Sequence, residues 1–188
     1  MKKILLLILL AYSSINAQVL YESVPSSKFN EPRNVKIQLP RNYEANEDKY
    51  YPVILVLDGD YLFEPVAGSA DYSSYWEDMP QAIIVGVMQP DRMEDTVYDD
   101  ANFLPTGQGA DFFEFLGMEL LPWLNKQYRL APFNVVVGHD ATAGFANYYL
   151  MKNPPLFQAY ISLSPDLAPQ MSDRLTTILT QTEQQIFY

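Results

Sequence analysis

The sequence contains no cysteine among its 188 residues. Disulfides and thiolate metal sites are therefore excluded, and so is a lipidated cysteine at a signal cleavage site. Histidine occurs once, as His139, so a single imidazole is present for acid–base chemistry. Because 48% of the residues are hydrophobic, the chain is expected to form one domain whose core is held together by packing alone.

Positive charge is scarce, with 12 Lys and Arg against 23 Asp and Glu. The formal net charge is −11, and a surface of this sign repels phosphate backbones. Nucleic acid is therefore not expected as a partner. No apolar run approaches the roughly 20 residues that a transmembrane helix needs, so no transmembrane segment is expected.

The amino terminus has the pattern of a secretory signal peptide. Lys2 and Lys3 precede an apolar run over residues 4–10, and a stretch of small residues ends at Ala17. This order of charge, apolar run and cleavage site predicts a signal peptide at residues 1–17 and a mature domain at residues 18–188. The protein is therefore expected to be exported, either to the periplasm or to the medium.

Apolar strands alternate with helical patterns along the mature chain. Buried strands are predicted at residues 51–57, 82–87, 134–137 and 159–164, helices at 69–76, 110–128, 141–152 and 172–181, and an antiparallel edge strand at 35–39. Pro122 is expected to kink the second helix. Residues 185–188 have the pattern of an opening fifth buried strand. This order predicts an α/β fold with a mostly parallel, doubly wound sheet, whose ligand site lies beyond the carboxyl ends of the strands.

One strand–turn–helix segment carries the functional argument. Gly138-His139-Asp140-Ala141-Thr142 follows an apolar strand and opens a helix. The nucleophile elbow of α/β-hydrolases reads G-x-S-x-G at such a turn. Here Asp140 stands at the nucleophile position, and Thr142 stands at the second glycine.

Further motifs accompany this turn in the expected order. Residues 51–60, YPVILVLDGD, resemble a strand and oxyanion loop that read YPVLYLLDG, and residues 120–123, LLPW, resemble the helix before the nucleophile strand. The chain from about residue 35 onward thus resembles the putative-esterase family of α/β-hydrolases, which includes esterase D and the enterobactin esterases. The resemblance implies an α/β-hydrolase fold and an oxyanion hole formed by the backbone amides of Asp60 and Ala141.

Two departures from the family bear on activity. The acid and the histidine of the triad normally follow later strands, and this sequence ends before them. Active members of the family also carry histidine at the position of His139, so this residue is interpreted as a packing residue rather than a base. No general base is then expected in the chain.

Asp140 is interpreted as a structural residue. Two like charges ~4 Å apart repel by about 4 kcal/mol at an effective dielectric near 20, so a carboxylate here opposes the developing oxyanion. That repulsion cancels roughly one oxyanion-hole donor. The aspartate is instead expected to accept hydrogen bonds from free amides of the helix, and to tolerate the left-handed backbone of the turn.

Three functional hypotheses remain open. The first is an exported, catalytically impaired esterase-like domain that binds a small molecule or a protein partner, through the former active-site face or through a sheet edge that a partner or a carboxy-terminal continuation covers. The second is the amino-terminal part of an active hydrolase that acts on esters or uses an aspartate nucleophile, as haloalkane dehalogenases do. The third is a subunit of an envelope assembly.

No cofactor and no metal ion are expected. An acidic group and an aromatic group of residues are interpreted as structural. A solvated rim is predicted for the acidic residues Asp91, Glu94, Asp95, Asp99 and Asp100, where a calcium site is left open without a recognisable binding loop. Helix packing is favoured over a pocket mouth for the aromatic residues Tyr61, Phe63, Tyr72, Tyr75 and Trp76.

Overall fold

Six strands form a single mixed sheet in the computed structural model, which describes residues 19–99 and 101–181. The predicted signal peptide, Asp100 and the predicted strand at 185–188 lie outside the described residues. The strands are β1 (Val19–Val24), β2 (Arg33–Gln38), β3 (Tyr51–Val56), β4 (Ile83–Val87), β5 (Leu130–His139) and β6 (Ala159–Leu163). Their spatial order is β1-β2-β4-β3-β5-β6.

Parallel pairing connects β4, β3, β5 and β6, and antiparallel pairing adds β2 and β1 at one side. The four strands predicted as buried are all present, which confirms the mostly parallel, doubly wound sheet. The predicted burial of the last of them is wrong, because Tyr160 is the one buried residue of β6. The antiparallel strand predicted at 35–39 is also present, but its placement at the sheet edge is wrong. Val19–Val24 pairs along its outer side, with Val24 opposite Arg33. That strand was not predicted, because it contains no strong apolar run.

Within the described ranges, five α-helices connect and flank the strands. They are α1 (Phe63–Tyr75), α2 (Gly107–Glu114), α3 (Leu121–Gln127), α4 (Ala141–Leu150) and α5 (Met171–Gln181). The first begins six residues earlier than its apolar pattern indicated, and the last two match their predictions within two residues.

The long helix predicted at 110–128 is present as continuous helical structure over residues 107–127, and the kink at Pro122 stays a prediction. A π-helical turn at Phe115–Leu120 separates α2 from α3, and Pro122 lies in the first turn of α3. Proline has no N–H to donate to the carbonyl four residues earlier. The wider π turn just before it allows the chain to continue as a helix without that bond.

The two faces of the sheet are covered unequally. One face packs on α2 to α5 and contains the larger core cluster, with side chains such as Leu55, Phe112 and Phe145. The other face is covered by α1, whose Phe63 and Ala67 pack on the central strands. Among the described helices none is long and apolar enough to span a membrane.

Candidate functional site

The turn between β5 and α4 has a strained backbone at Asp140, with φ 56° and ψ −118°. The positive φ was expected, but this ψ lies outside the small left-handed α region that aspartate tolerates, so the turn stores roughly 1–3 kcal/mol of strain. Two hydrogen bonds hold it. The Asp140 N–H donates to the Leu163 carbonyl at 2.9 Å, and the Asp166 N–H donates to the Asp140 carbonyl at 3.0 Å. The end of β6 thus fixes the corner.

Small residues allow the chain to pass closely at this corner. A Cβ on Gly138 would lie 2.7 Å from the Ala143 nitrogen, and a Cβ on Gly144 would lie 1.7 Å from the Asp166 carbonyl oxygen. Thr142 fits where the elbow pattern has its second glycine, because its side chain is buried and hydrogen-bonded. Gly144, two residues later, is the position that requires the close approach.

The Asp140 side chain does not cap the helix, so the predicted capping role is wrong. Among the described residues no helix amide donates to its carboxylate. Helix-capping residues have extended backbone angles, whereas the positive φ of Asp140 turns its side chain away from the first turn of α4. The carboxylate, about half exposed, lies instead 3.4 Å from Nη1 and 3.5 Å from Nη2 of Arg92.

Arg92 is the residue of this corner that sequence reasoning missed. Its Nε donates to Asp58 at 2.7 Å, and its Nη2 donates to the His139 carbonyl at 2.7 Å. Burial alone would lower the pKa of Arg92, but the hydrogen bond and charge of Asp58 outweigh it and raise the pKa. Arg92 is therefore a permanent cation and no general base. It also offsets the charge of Asp140, so the repulsion estimated from the sequence overstates the effect of that carboxylate.

Asp58 is the buried centre of the corner, at the end of β3. Its Oδ1 accepts from Arg92, and its Oδ2 accepts from the Thr142 hydroxyl at 2.6 Å and from the Tyr61 hydroxyl at 3.1 Å. Its N–H donates to Gln89 Oε1 at 2.8 Å. From the sequence, Asp58 was predicted only to be part of a turn. Its role as a hydrogen-bond acceptor depends on the tertiary structure, because its partners come from three separate segments.

Tyr61 extends this network to His139. The Tyr61 oxygen lies 3.0 Å from His139 Nδ1, and the two rings meet edge to face. The Tyr61 hydroxyl thus lies between Asp58 Oδ2 and His139 Nδ1, and it connects the buried carboxylate to the imidazole. The described residues show no hydrogen bond between His139 and the Asp140 carboxylate. Burial and the nearby Asp58 charge raise the pKa of Tyr61, so it remains a neutral donor.

The two residues assigned to the oxyanion hole flank the same corner. In the described part of the chain, neither the Asp60 N–H nor the Ala141 N–H donates a hydrogen bond. The Asp60 carboxylate accepts from the Gln89 N–H at 3.2 Å. Whether the two amides act together on a ligand stays a prediction.

The acidic segment is not a uniformly solvated rim. Asp95 is fully buried and receives a bidentate pair from Arg33 at 2.7 and 3.0 Å, together with a hydrogen bond from Gln108 at 2.9 Å. Asp91 and Asp99 accept from backbone amides of their own loop. In the described ranges 19–99 and 101–181, no three acidic or histidine side chains are grouped to hold a metal ion.

Most of the aromatic residues near the site do not pack into the core. Phe63 is buried, but more than half of the surface is exposed in Tyr72, Tyr75 and Trp76, and half in Tyr61. The packing prediction therefore holds for Phe63 alone. The helix α1 exposes the other three near its carboxyl end, while Tyr61 contacts the corner described above.

The chain matches one family profile and is similar to several solved structures. The profile of the family described as "Putative esterase" matches residues 26–185. An uncharacterised protein from Capnocytophaga ochracea superposes with a TM-score of 0.81 at 31% identity, over 87% of this chain and 45% of its own. An IroE-like serine hydrolase from Shewanella oneidensis gives 0.76 at 28% identity, over 90% of this chain and 60% of its own. Enterochelin esterase from Shigella flexneri, at 21% identity and a TM-score of 0.58, shares the fold.

These comparisons confirm the predicted α/β-hydrolase fold and the resemblance to esterases. No curated protein matches the chain. The chain spans about half of the length of the first two structures.

Proposed function

Because the chain belongs to the "Putative esterase" family, we propose that it is an exported, catalytically impaired member, and that it binds a small molecule or a protein partner through the former active-site face. The side chain at the nucleophile position is the observation that carries the proposal. Asp140 has no hydroxyl to deprotonate, and its carboxylate faces a guanidinium. A carboxylate held by a cation attacks an acyl carbon poorly.

The geometry supports binding at this corner. Asp140 is about half exposed, Arg92 is partly exposed, and the Asp60 and Ala141 amides find no partner in the described residues. A ligand that presents an acceptor to the amides and a donor to Asp140 would satisfy these groups. The strained backbone holds them in place before binding, which reduces the entropy cost of ordering them.

Esterase assays with the Asp140→Ser substitution test the proposal. We expect the unaltered protein to release no more than one equivalent of nitrophenol from nitrophenyl acetate. We expect Asp140→Ser to raise multiple turnover less than tenfold over background, because a serine without a base loses most of its reactivity.

Asp140→Ala is the matched control, since it removes the carboxylate without adding a hydroxyl. The proposal predicts equal, near-background rates for the two variants. Sustained turnover by the unaltered protein, lost in Asp140→Ala, would show an aspartate nucleophile. Turnover in Asp140→Ser alone would show a base in the chain.

A second function has specific support. The chain spans 45% and 60% of the lengths of two similar structures, and Asp58, Tyr61 and His139 form a chain of hydrogen bonds that connects a buried carboxylate to the imidazole. Both observations favour the amino-terminal part of an active hydrolase. Reading the gene beyond the Tyr188 codon separates the two functions: an acid and a histidine after further strands support the active hydrolase.

A further inference from the structure

A pocket of about 610 Å³ lies away from the Asp140 corner. It is bounded by the loop before α2, by α2, by the carboxyl end of α4 and by α5. Its lining comprises Leu104, Pro105, Ala110, Phe113, Glu114, Tyr148, Met151, Lys152, Arg174, Thr177 and Ile178. This volume is in the usual range for small-molecule sites, and none of the corner residues contributes to it.

Two cations line the pocket without a carboxylate partner in the described chain. Arg174 forms no ion pair with the described residues, and Lys152 lies 5.0 Å from the centre of the Phe113 ring rather than beside an acid. The one acidic residue in the lining, Glu114, is paired with Lys28. The pocket therefore carries an excess of positive charge on a strongly acidic protein.

A buried hydroxyl lies in the same wall. Tyr148 is only 4% exposed, and its hydroxyl oxygen has no hydrogen-bond partner in the described residues. Burial raises the pKa of Tyr148 to about 12, so the phenol keeps its proton. It is therefore available to donate a hydrogen bond to a ligand. An unsatisfied buried hydroxyl costs roughly 1–3 kcal/mol, which a ligand oxygen would relieve.

Apart from Thr177, the remaining lining residues are apolar, and two of its aromatic neighbours are held by direct contacts. Phe113 stacks on Tyr149 with 4.1 Å between ring centres, and the Tyr149 hydroxyl donates to the Phe113 carbonyl at 2.6 Å. Met151 and Ile178 complete this surface. The pocket thus combines an apolar body with cations and a hydroxyl donor.

We propose that this pocket binds an amphipathic carboxylate of the medium-chain fatty acid class, with its carboxylate between Arg174 and Lys152 and its hydrocarbon chain along Phe113, Met151 and Ile178. The charge selects an anion, because two unpaired cations favour a carboxylate over a neutral head group. The apolar walls select a hydrocarbon chain over a small hydrophilic anion. The assignment does not depend on whether Asp140 is catalytic.

Calorimetric titration with octanoate and with 1-octanol tests the proposal. The two probes have the same chain and differ in the charge of the head group. We expect octanoate to bind one site at least tenfold more tightly than octanol, and we expect Arg174→Gln to reduce octanoate affinity about tenfold while leaving octanol unchanged. Arg41→Gln is the matched control, because Arg41 lies outside the pocket lining and should leave both affinities unchanged.

Tyr148→Phe gives a second, independent readout. Because the hydroxyl has no protein partner, its removal should not lower the Tm, yet it should weaken octanoate binding about fivefold. A structural role alone would lower the Tm and leave affinity unchanged. Equal affinity for the two probes, absence of saturable octanoate binding, or full octanoate affinity in Arg174→Gln would each overturn the proposal.

Discussion

A single buried carboxylate organises the corner at the residue scale. Asp58 accepts hydrogen bonds from Arg92, Thr142 and Tyr61, so its charge is solvated by the protein in place of water. A buried charge is tolerated only when it is paired and hydrogen-bonded in this way. Asp58 therefore joins the loop after β4 to the start of α4, and it places Arg92 against Asp140.

Replacing Thr142 with valine tests this joint. The change preserves the branched shape but removes the hydroxyl that donates to Asp58 and accepts from the His139 N–H at 3.0 Å. Hydrogen bonds to charged groups contribute about 1.5–3 kcal/mol, so Thr142→Val should lower the free energy of unfolding by about 2 kcal/mol. Urea denaturation measures this difference.

Thr142→Ser is the matched control for that measurement. It keeps the hydroxyl and loses one methyl group, so we expect a loss of about 1 kcal/mol. A valine variant as stable as the serine variant would contradict the assignment of the hydroxyl bonds.

An ion pair anchors the loop that carries Arg92, at the scale of elements. Asp95 lies in the short 3-10 turn Glu94–Thr96, three residues after Arg92, and pairs with Arg33 at the start of β2. The Arg33 guanidinium also stacks 3.8 Å from the centre of the Phe29 ring. The buried pair thus holds the loop against the sheet and restricts where Arg92 can lie.

Removal of one partner of this pair should lower the free energy of unfolding substantially. Arg33→Met leaves Asp95 buried and unpaired, so we expect a loss of about 3–5 kcal/mol in the free energy of unfolding. Arg41→Met is the control, because Arg41 forms a similar bidentate pair with Asp71 but is half exposed, and exposed pairs contribute about 0–1 kcal/mol. Equal losses in the two variants would contradict the role of burial.

The pH dependence of Arg33→Met follows from the same pair. Burial raises the pKa of Asp95, and Arg33 acts in the opposite direction, so removal of Arg33 raises that pKa further. Between the unfolded pKa and this raised pKa the folded state holds more protons, and stability falls as pH rises. The stability deficit of Arg33→Met should therefore be smaller at pH 4 than at pH 7. A deficit that is constant or larger at pH 4 would show that Asp95 is not the titrating group.

At the scale of the whole molecule, the described residues leave one face of the sheet incompletely covered. Ile161 and Leu163 lie on the same face of β6 as Ala159, which packs on the cluster beneath α1. They are 44% and 41% exposed, because α1 covers only the central strands. Parallel sheets are normally covered on both faces, so this apolar row is an exposed surface where another chain can pack.

Light scattering at increasing protein concentration tests this surface. We expect the purified chain to self-associate, and the double substitution Ile161→Lys with Leu163→Lys to weaken association on the order of tenfold. Tyr21→Lys with Tyr72→Lys makes the same charge change at two exposed residues elsewhere and should leave association unchanged. A monodisperse monomer for the unaltered chain would contradict the prediction.

The sequence alone determined the local features of this protein. Apolar β-branched runs and helical spacing predicted the four parallel strands and the helices near them, and the Gly138–Thr142 pattern predicted the turn and its aspartate. Each of these signals is carried by neighbouring residues, whose order is visible in the chain.

Only the tertiary structure decided the partners of the charged groups. Arg92 lies 48 residues from Asp140, and Arg33 lies 62 residues from Asp95, so no spacing rule connects them. Asp95 belongs to a run of acids that looks solvated, and its burial follows from the packing of that loop against β2. Long-range electrostatic pairing depends on which strands become neighbours, and the sheet order brings those segments together only after folding.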